Sequence, residues 1–194
     1  MDRFRREIDG LSTHKLIYKD KFTDGMKIKI CAVLSSVKIR QTRKGDSMAI
    51  LKIEDLTGSI EGLVFSKVLE KYSDILISDG LVAISGTISR QERTEEPKLK
   101  VVEVLDLEDA AEIWGNALHI KLPSDHVTPP LVDRLEKLFG ANPGKCVLYI
   151  DLAYPGGDVR SLKVDRFRVQ PAPEMLQRLT ELVGEDQIKL STGK

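Results

Sequence analysis

Hydrophobic and polar residues alternate along most of the segment from Met26 to Asp106. A period of two is typical of β-strands that bury one face, and breaks at turn residues divide the segment into five strands. Helical spacing occurs once, after the third strand, in SKVLEKYSDIL, where Ser66 is placed to cap a helix. The apolar residues of that helix share one face: Val68, Leu69, Tyr72 and Ile75. We therefore predict a five-stranded barrel with one helix plugging its open end.

Two irregularities inside these strands indicate how the barrel closes. The apolar phase of the first strand changes at Ser35 and Ser36, as a bulge or bend requires. Gly86 lies in the middle of the fourth strand, which indicates a sharp bend or a close approach of backbone. Five strands with a helix after the third describe an OB-fold, a barrel that binds oligonucleotides or oligosaccharides along one face.

The pattern changes after this segment. Residues 107–116, LEDAAEIWGN, interrupt the strand rhythm and predict a connecting helix. Residues 117–194 carry strand and helix signals in the order β-α-β-β-α-β. Residues 1–25 form a charged lead or linker with scattered apolar positions. We predict two small domains: an all-β OB-fold barrel at 26–106 and, at 117–194, an α+β domain with helices on a mostly antiparallel sheet.

Composition narrows the classes of function. Thirty basic and thirty acidic residues give a net charge of zero, so any nucleic-acid binding has to come from a local patch. Cys31 and Cys146 are isolated on apolar strands, which predicts reduced core thiols. No apolar run approaches the ~18 to 20 residues that cross a bilayer, and the N-terminus has no apolar leader. We expect a cytoplasmic protein without membrane contact.

The sequence contains no motif for catalysis or for a cofactor. GxxxxGK[ST] is absent, and no GxGxxG follows a strand. His14, His119 and His126 lack metal-ligand spacing, and His119 is expected at a surface or rim. Glu54 and Asp55 fall at a predicted turn, where solvated charge explains them better than acid–base catalysis. We predict no catalytic residue, no cofactor and no metal, and hence no enzyme.

The positive signal is a local basic patch. Lys38 and Arg40 end the first strand, and Arg43 and Lys44 follow in the next loop. In an OB-fold, that loop and the outer face of strands two and three line the binding groove. The other predicted contacts lie along the second to fourth strands, with Phe65 or Leu63 as a stacking surface: Met48, Lys52, Phe65 and Arg90. These residues form the predicted nucleic-acid-binding site.

Two features predict weak binding. Aromatic residues make up only 5% of the chain, whereas stacking supplies ~1 to 3 kcal/mol per base in single-strand binders. The loop ERTEEP between strands four and five is net acidic, so only one wall of the groove is basic. In the alternative interpretation, the basic hairpin is merely solvated and both domains serve only protein–protein contacts.

Two blocks of the sequence resemble the C-terminal region of the bacterial DNA polymerase III alpha subunit. MAILKIEDLTGSIEGLVFSKVLEKYSDIL followed by LVAISGTISRQE is similar to the OB domain of that family. The ordered segments LHIKLP, LVDRLEKLF, PGKCVLYIDL and VRSLKVDRFRVQ are similar to its tail domain. LSTHKLIYKDKF is similar to the family's Ser-Gly-His-Pro-Leu segment, with Thr13 and Lys15 in place of Gly and Pro. The resemblance covers nearly the whole chain.

The resemblance implies a non-catalytic accessory module of a DNA replicase. The barrel would handle the single-stranded template, and the tail domain would contribute to docking the clamp-loader tau subunit. The phosphoesterase domain, palm carboxylates and fingers of the family precede this region and are not in this chain. We therefore expect no polymerase activity from the chain, as a fragment or as a short gene product. An OB domain of a tRNA-binding enzyme is a further alternative, but it leaves the tail domain unexplained.

Overall fold

The computed structural model describes residues 10–42, 45–90 and 96–192, which fall into two compact units. The first unit comprises residues 12–107. The second comprises residues 108–192 together with Gly10 and Leu11. Within the described ranges, no helix is both long enough and apolar enough to span a membrane.

The first unit is a closed five-stranded barrel. Its elements are β1 (Lys27–Gln41), β2 (Ser47–Glu54), β3 (Ser59–Val64), α1 (Ser66–Tyr72), β4 (Leu81–Ser89) and β5 (Lys98–Asp106). The strands close in the order β1-β2-β3-β5-β4, and every pair is antiparallel except β3 and β5. Alternate side chains fill the interior, as the period of two requires. The predicted OB-fold barrel is confirmed.

Both predicted irregularities are present. The β1–β2 register shifts between Leu34 and Ser36, and the β4–β5 register shifts between Ser85 and Gly86. A Cβ atom on Gly86 would lie 2.4 Å from the carbonyl oxygen of Lys100, so only glycine fits that approach. These two bulges provide the bends that a small barrel needs to close.

Helix α1 packs on the barrel core as predicted, but its start differs from the prediction. Ser66 is the first helical residue, and the extended Phe65 occupies the N-cap position without a side-chain cap. The Phe65 carbonyl oxygen accepts hydrogen bonds from the N–H groups of Val68 and Leu69. The helix ends at Tyr72, four residues earlier than the apolar pattern indicates, because the following residues form turns.

The segment before β1 contributes to the barrel core, which differs from the predicted charged linker at 1–25. Leu16 and Phe22 are 1% and 2% exposed and lie in the core cluster. A 3₁₀ helix, Leu16–Lys21, joins them, and the Leu16 N–H donates to the Asp55 carboxylate at 2.8 Å. Their spacing follows neither a strand nor an α-helix, so periodicity could not identify them as core residues.

The second unit contains a four-stranded sheet. Its elements are α2 (Leu107–Trp114), β6 (Ala117–Pro123), α3 (Pro129–Ala141), β7 (Pro143–Ala153), β8 (Val159–Val169), α4 (Pro173–Val183) and β9 (Ile188–Ser191). The strand order is β8-β7-β6-β9, with β6 and β7 parallel and the other pairs antiparallel. The parallel pair is joined through α3, as a β-α-β crossover requires.

The two faces of this sheet differ in chemistry. One face carries apolar side chains that are buried with those of α3 and α4: Leu118, Ile120, Leu122, Cys146, Leu148, Leu135, Phe139, Met175 and Leu179. Alternation places His119, Tyr149 and Asp151 on the opposite side, named here the ring face. The sheet therefore presents one packed surface and one polar, aromatic surface.

Candidate nucleic-acid interface

The predicted site lies on the outer face of β1, β2 and β3. Lys38 is opposite Ile50, and Ile50 is opposite Leu63. In the neighbouring row, Lys52 is opposite Glu61, and Glu61 is opposite Lys98 of β5. These rows border a depression of about 330 Å³, named here the groove. Its lining residues are Lys19, Ser36, Lys38, Ile50, Leu51, Lys52, Ser59, Ile60, Glu61, Glu96 and Pro97.

Carboxylates neutralise several cations of the groove. The Lys52 ammonium lies 2.5 Å from a Glu54 oxygen, and the Lys98 ammonium lies 2.6 Å from a Glu61 oxygen. Hydrogen bonding from Lys52 lowers the pKa of the Glu54 carboxyl, so Glu54 keeps its negative charge at neutral pH. A groove whose cations are paired in this way attracts phosphate weakly.

The far end of β1 is different. Lys38 and Arg40 are exposed, and neither forms an ion pair within the part of the chain that the structure describes. Arg40 is opposite the half-buried Met48, and Phe65, which is 46% exposed, directly follows β3. Cations and apolar surface therefore come together at one end of the groove, which is the combination that single-strand binders use.

Not every predicted contact joins this group. Arg43 and Lys44 lie outside the described residues. Arg90 follows β4, which pairs with the first half of β1, from Lys27 to Val33, and not with the end that carries Lys38 and Arg40. Its guanidinium donates to the carbonyl oxygens of Asp20 and Phe22, at 3.0 and 3.2 Å. We infer that Arg90 anchors the segment before β1, because these bonds occupy part of its donor fork.

Sequence reasoning missed three residues of this region. Lys19 lines the groove from the segment before β1, and Glu61 neutralises Lys98. Asp55 is not merely solvated at its turn: its carboxylate accepts from the N–H groups of Thr57 and Gly58, at 2.7 and 2.8 Å, and from Leu16. Cross-strand alternation could have identified Glu61, but only the folded chain reveals the contacts of Lys19 and Asp55.

The titratable groups elsewhere do not form a catalytic constellation within the described residues. No cluster of three or more His, Cys, Asp or Glu there could hold a metal ion. His119, Asp151 and Ser161 are joined, but Asp151 stands between the other two, so the imidazole cannot take a proton from the hydroxyl. Burial raises the pKa of the Cys146 thiol to about 11, which leaves it without thiolate at neutral pH.

The barrel is similar to known OB-fold domains. A family model described as an OB-fold nucleic acid binding domain matches residues 28–109. Among solved structures, the second OB-fold domain of replication protein A from Methanococcus maripaludis is 18% identical with a TM-score of 0.37, covering 49% of this chain and 94% of that one. A similarity at this level carries no argument about function.

Curated relatives match between 73% and 98% of the chain. DNA polymerase III subunit alpha from Pseudomonas aeruginosa is 24% identical over 98% of this chain and 16% of that protein. The subunit from Escherichia coli K12 is 26% identical over 86% of this chain and 14% of the subunit. The subunit from Saccharopolyspora erythraea is 31% identical over 73% of this chain and 12% of the subunit. The chain thus spans less than a fifth of their length. It is a homologue of part of DNA polymerase III subunit alpha, and its barrel is an OB-fold domain.

Proposed function

We propose that the chain is a non-catalytic accessory module of a DNA replicase, in which the barrel binds single-stranded template DNA. The observation that carries the proposal is the end of the groove, where Lys38 and Arg40 lie without ion-pair partners among the described residues. Met48 and Phe65 supply apolar surface beside them. Homology to a replicative polymerase subunit favours DNA as the ligand, and this function belongs in the bacterial cytoplasm.

The charge arrangement sets the expected strength. Lys52 and Lys98 are already paired, so each must leave a carboxylate before it binds phosphate. Lys38, Arg40, Arg43 and Lys44 then provide at most four phosphate contacts. Each phosphate neutralised on a single strand contributes about −0.7 to the slope of log K against log salt, which predicts a slope of about −3. Binding should therefore be weak and sensitive to salt.

The direct test is fluorescence anisotropy with a labelled oligo-dT strand at low salt. Lys38→Ala with Arg40→Ala should lower the affinity about tenfold and reduce the salt slope by about 1.4, since two phosphate contacts are lost. Adding Arg43→Ala and Lys44→Ala should reduce the slope further. The matched control is Lys67→Ala with Lys71→Ala, which removes the same charge from helix α1 of the same unit.

Two results would contradict the proposal. If the Lys38/Arg40 variant binds oligo-dT like the parent, the groove assignment is wrong. If the α1 control loses as much affinity, binding depends on overall charge and not on the groove. A preference for RNA over DNA would favour the tRNA-binding alternative.

We further propose that the second unit docks a clamp-loader protein, the tau subunit. A groove of about 380 Å³ lies between α3 and α4, with Leu138 and Leu182 among its lining residues. Three cations border it without partners in the described chain: Arg134, Lys137 and Arg178. Glu181 is the one carboxylate of that lining. An apolar floor with a net positive rim suits a partner segment that is apolar and acidic.

A pull-down with purified tau subunit tests the docking. Arg134→Glu with Arg178→Glu should reduce capture at least tenfold, because both the charge and its sign change at the groove. The matched control is Lys145→Glu on β7, at an exposed position outside this groove. Unchanged capture by the double variant would exclude the α3–α4 groove. Capture of tau with no detectable oligo-dT binding at ~50 mM salt would select the purely protein-binding alternative.

A further inference from the structure

The ring face of the second sheet carries two stacked rings. His119 of β6 and Tyr149 of β7 are direct partners in the parallel ladder. Their ring centroids are 4.6 Å apart, and the ring planes differ by 9°. Neither ring belongs to the buried core, because the apolar residues of both strands face the helices. The stack is therefore available for a role other than packing.

A hydrogen-bonded carboxylate orients the histidine ring. Asp151 of β7 lies 3.0 Å from His119 Nδ1, and its second oxygen accepts a hydrogen bond from the Ser161 hydroxyl. The side chains of His119 and Asp151 remain 31% and 20% exposed. A ring held in place loses little conformational entropy when a ligand binds, which favours recognition.

Lysines flank the ring pair along the ladder. Lys189 of β9 is opposite His119, and Lys163 of β8 is opposite Tyr149. Lys121 is opposite Asp151, and all three lysine side chains are exposed. Lys163 forms an ion pair with Asp165 at 2.8 Å, whereas Lys121 and Lys189 have no partner among the described residues.

The spacing of this row suits a nucleotide chain. Neighbouring strands lie about 4.8 Å apart, so Lys189 and Lys163 stand about 14 Å apart across the two rings. A base stacks on an aromatic ring whatever its identity, and ammonium groups on either side contact the phosphates that flank it. An oligosaccharide would not use the positive charge, and an apolar protein partner would not require it.

We propose that His119, Tyr149, Lys121, Lys163 and Lys189, named here the ring platform, form a second binding site for single-stranded nucleic acid. One base stacks against the His119–Tyr149 pair, and the lysines contact the adjoining phosphates. The site is separate from the groove of the barrel, and its existence does not depend on the proposed function of that groove.

The first test measures affinity with the full chain and a labelled oligo-dT strand. Tyr149→Leu keeps an apolar side chain but removes the stacking surface, and we expect about a tenfold loss of affinity. Tyr149→Phe should bind like the parent because it retains the ring. The matched control is Tyr154→Leu, which removes an exposed tyrosine from the turn after β7 and should leave affinity unchanged. Thermal unfolding of each variant verifies that it folds.

The second test locates the strand directly. Ultraviolet cross-linking to an oligonucleotide carrying 5-iododeoxyuridine, followed by peptide mass spectrometry, should yield an adduct on Tyr149 or His119. Lys121→Gln with Lys189→Gln should reduce the salt slope by about 1.4. The salt slope can also be measured in the Lys38→Ala/Arg40→Ala background, where the barrel site is already weakened. The experiment therefore tests the platform independently of the barrel site.

Any one of four results would overturn the platform. Tyr149→Leu could bind as tightly as the parent, or Tyr149→Phe could lose as much affinity as Tyr149→Leu. Cross-links could form only on barrel residues. If Tyr149→Leu abolishes tau capture while oligo-dT binding is unchanged, the face is a protein-binding surface and the nucleic-acid proposal is wrong.

Discussion

The two units use the same alternation of apolar and polar residues but present different chemistry on their polar faces. In the barrel, the polar face is a groove in which Lys52 and Lys98 are paired with carboxylates. In the second unit, the ring face carries the stacked pair of His119 and Tyr149, flanked by lysines. Homology directs attention to the barrel, whereas the stacked rings lie on the other unit. The fold of a unit therefore does not by itself show which surface of the chain binds a ligand.

Thiol labelling provides the sharpest comparison of the two cores. Cys31 of the barrel and Cys146 of the second unit are 0% and 1% exposed. A pKa of about 11 instead of 9.0 lowers the thiolate fraction of Cys146 about 100-fold at pH 8, in addition to the protection that burial gives. We expect negligible reaction of either thiol with a maleimide in the native chain.

Single-thiol variants, Cys31→Ser and Cys146→Ser, extend this measurement. Labelling over a urea series should give two different midpoints, because the two cores belong to separate compact units. Coincident midpoints would show that the units unfold together. Rapid labelling of Cys146 without urea would show that this thiol is accessible in the native chain, which would contradict its burial.

A glycine substitution tests how the barrel closes. Gly86→Ala places a methyl group 2.4 Å from the Lys100 carbonyl oxygen and should lower the free energy of unfolding by about 1 to 3 kcal/mol. The comparison variant in the second unit is Gly140→Ala on α3, where the nearest atom lies 3.9 Å away. Helix propensity predicts up to about 1 kcal/mol of stabilisation there. Urea unfolding followed by circular dichroism measures both free energies of unfolding. A Gly86→Ala variant as stable as the parent would contradict the close approach of Gly86 to Lys100.

A charge change tests whether pairing weakens the groove. Glu61→Gln removes the partner of Lys98, so the affinity for oligo-dT should rise a few-fold and the salt slope should steepen by about 0.7. The matched control is Glu136→Gln, which breaks the Arg166–Glu136 pair of the second unit. Equal gains in the two variants would mean that net charge, rather than the groove, controls affinity.

The smallest expected effect concerns His14 in the segment before β1. Burial lowers the pKa of His14, and its ring lies edge-on to Phe22 with centroids 5.6 Å apart. The unfolded chain then binds a proton more readily than the folded chain, so stability should fall as the pH drops below 6.5. His14→Asn should flatten this dependence in urea unfolding across a pH series, and an unchanged dependence would contradict the burial of this ring.

Much of the fold could be predicted because periodicity reports local burial. The five strands, the helix after the third strand and the register shifts beside Ser36 and Gly86 all follow from periodicity and small residues. The candidate site was predicted less completely. Lys38 and Arg40 lie where the loop argument places them, but Arg90 is bound to backbone carbonyls. No local sequence pattern reveals which cation has a distant partner. Only the contacts in the folded chain distinguish the exposed Lys38 and Arg40 from the hydrogen-bonded Arg90.

The sequence by itself determined the OB-fold barrel, the second sheet domain and the homology to a polymerase subunit. These properties depend on local propensity and on the order of elements, which the chain carries in one dimension. Tertiary structure alone decided the core roles of Leu16 and Phe22, the pairing of Lys98 with Glu61, and the stacking of His119 on Tyr149. Lys98 and Glu61 are 37 residues apart along the chain. Like His119 and Tyr149, they meet only because strand register and packing bring them together.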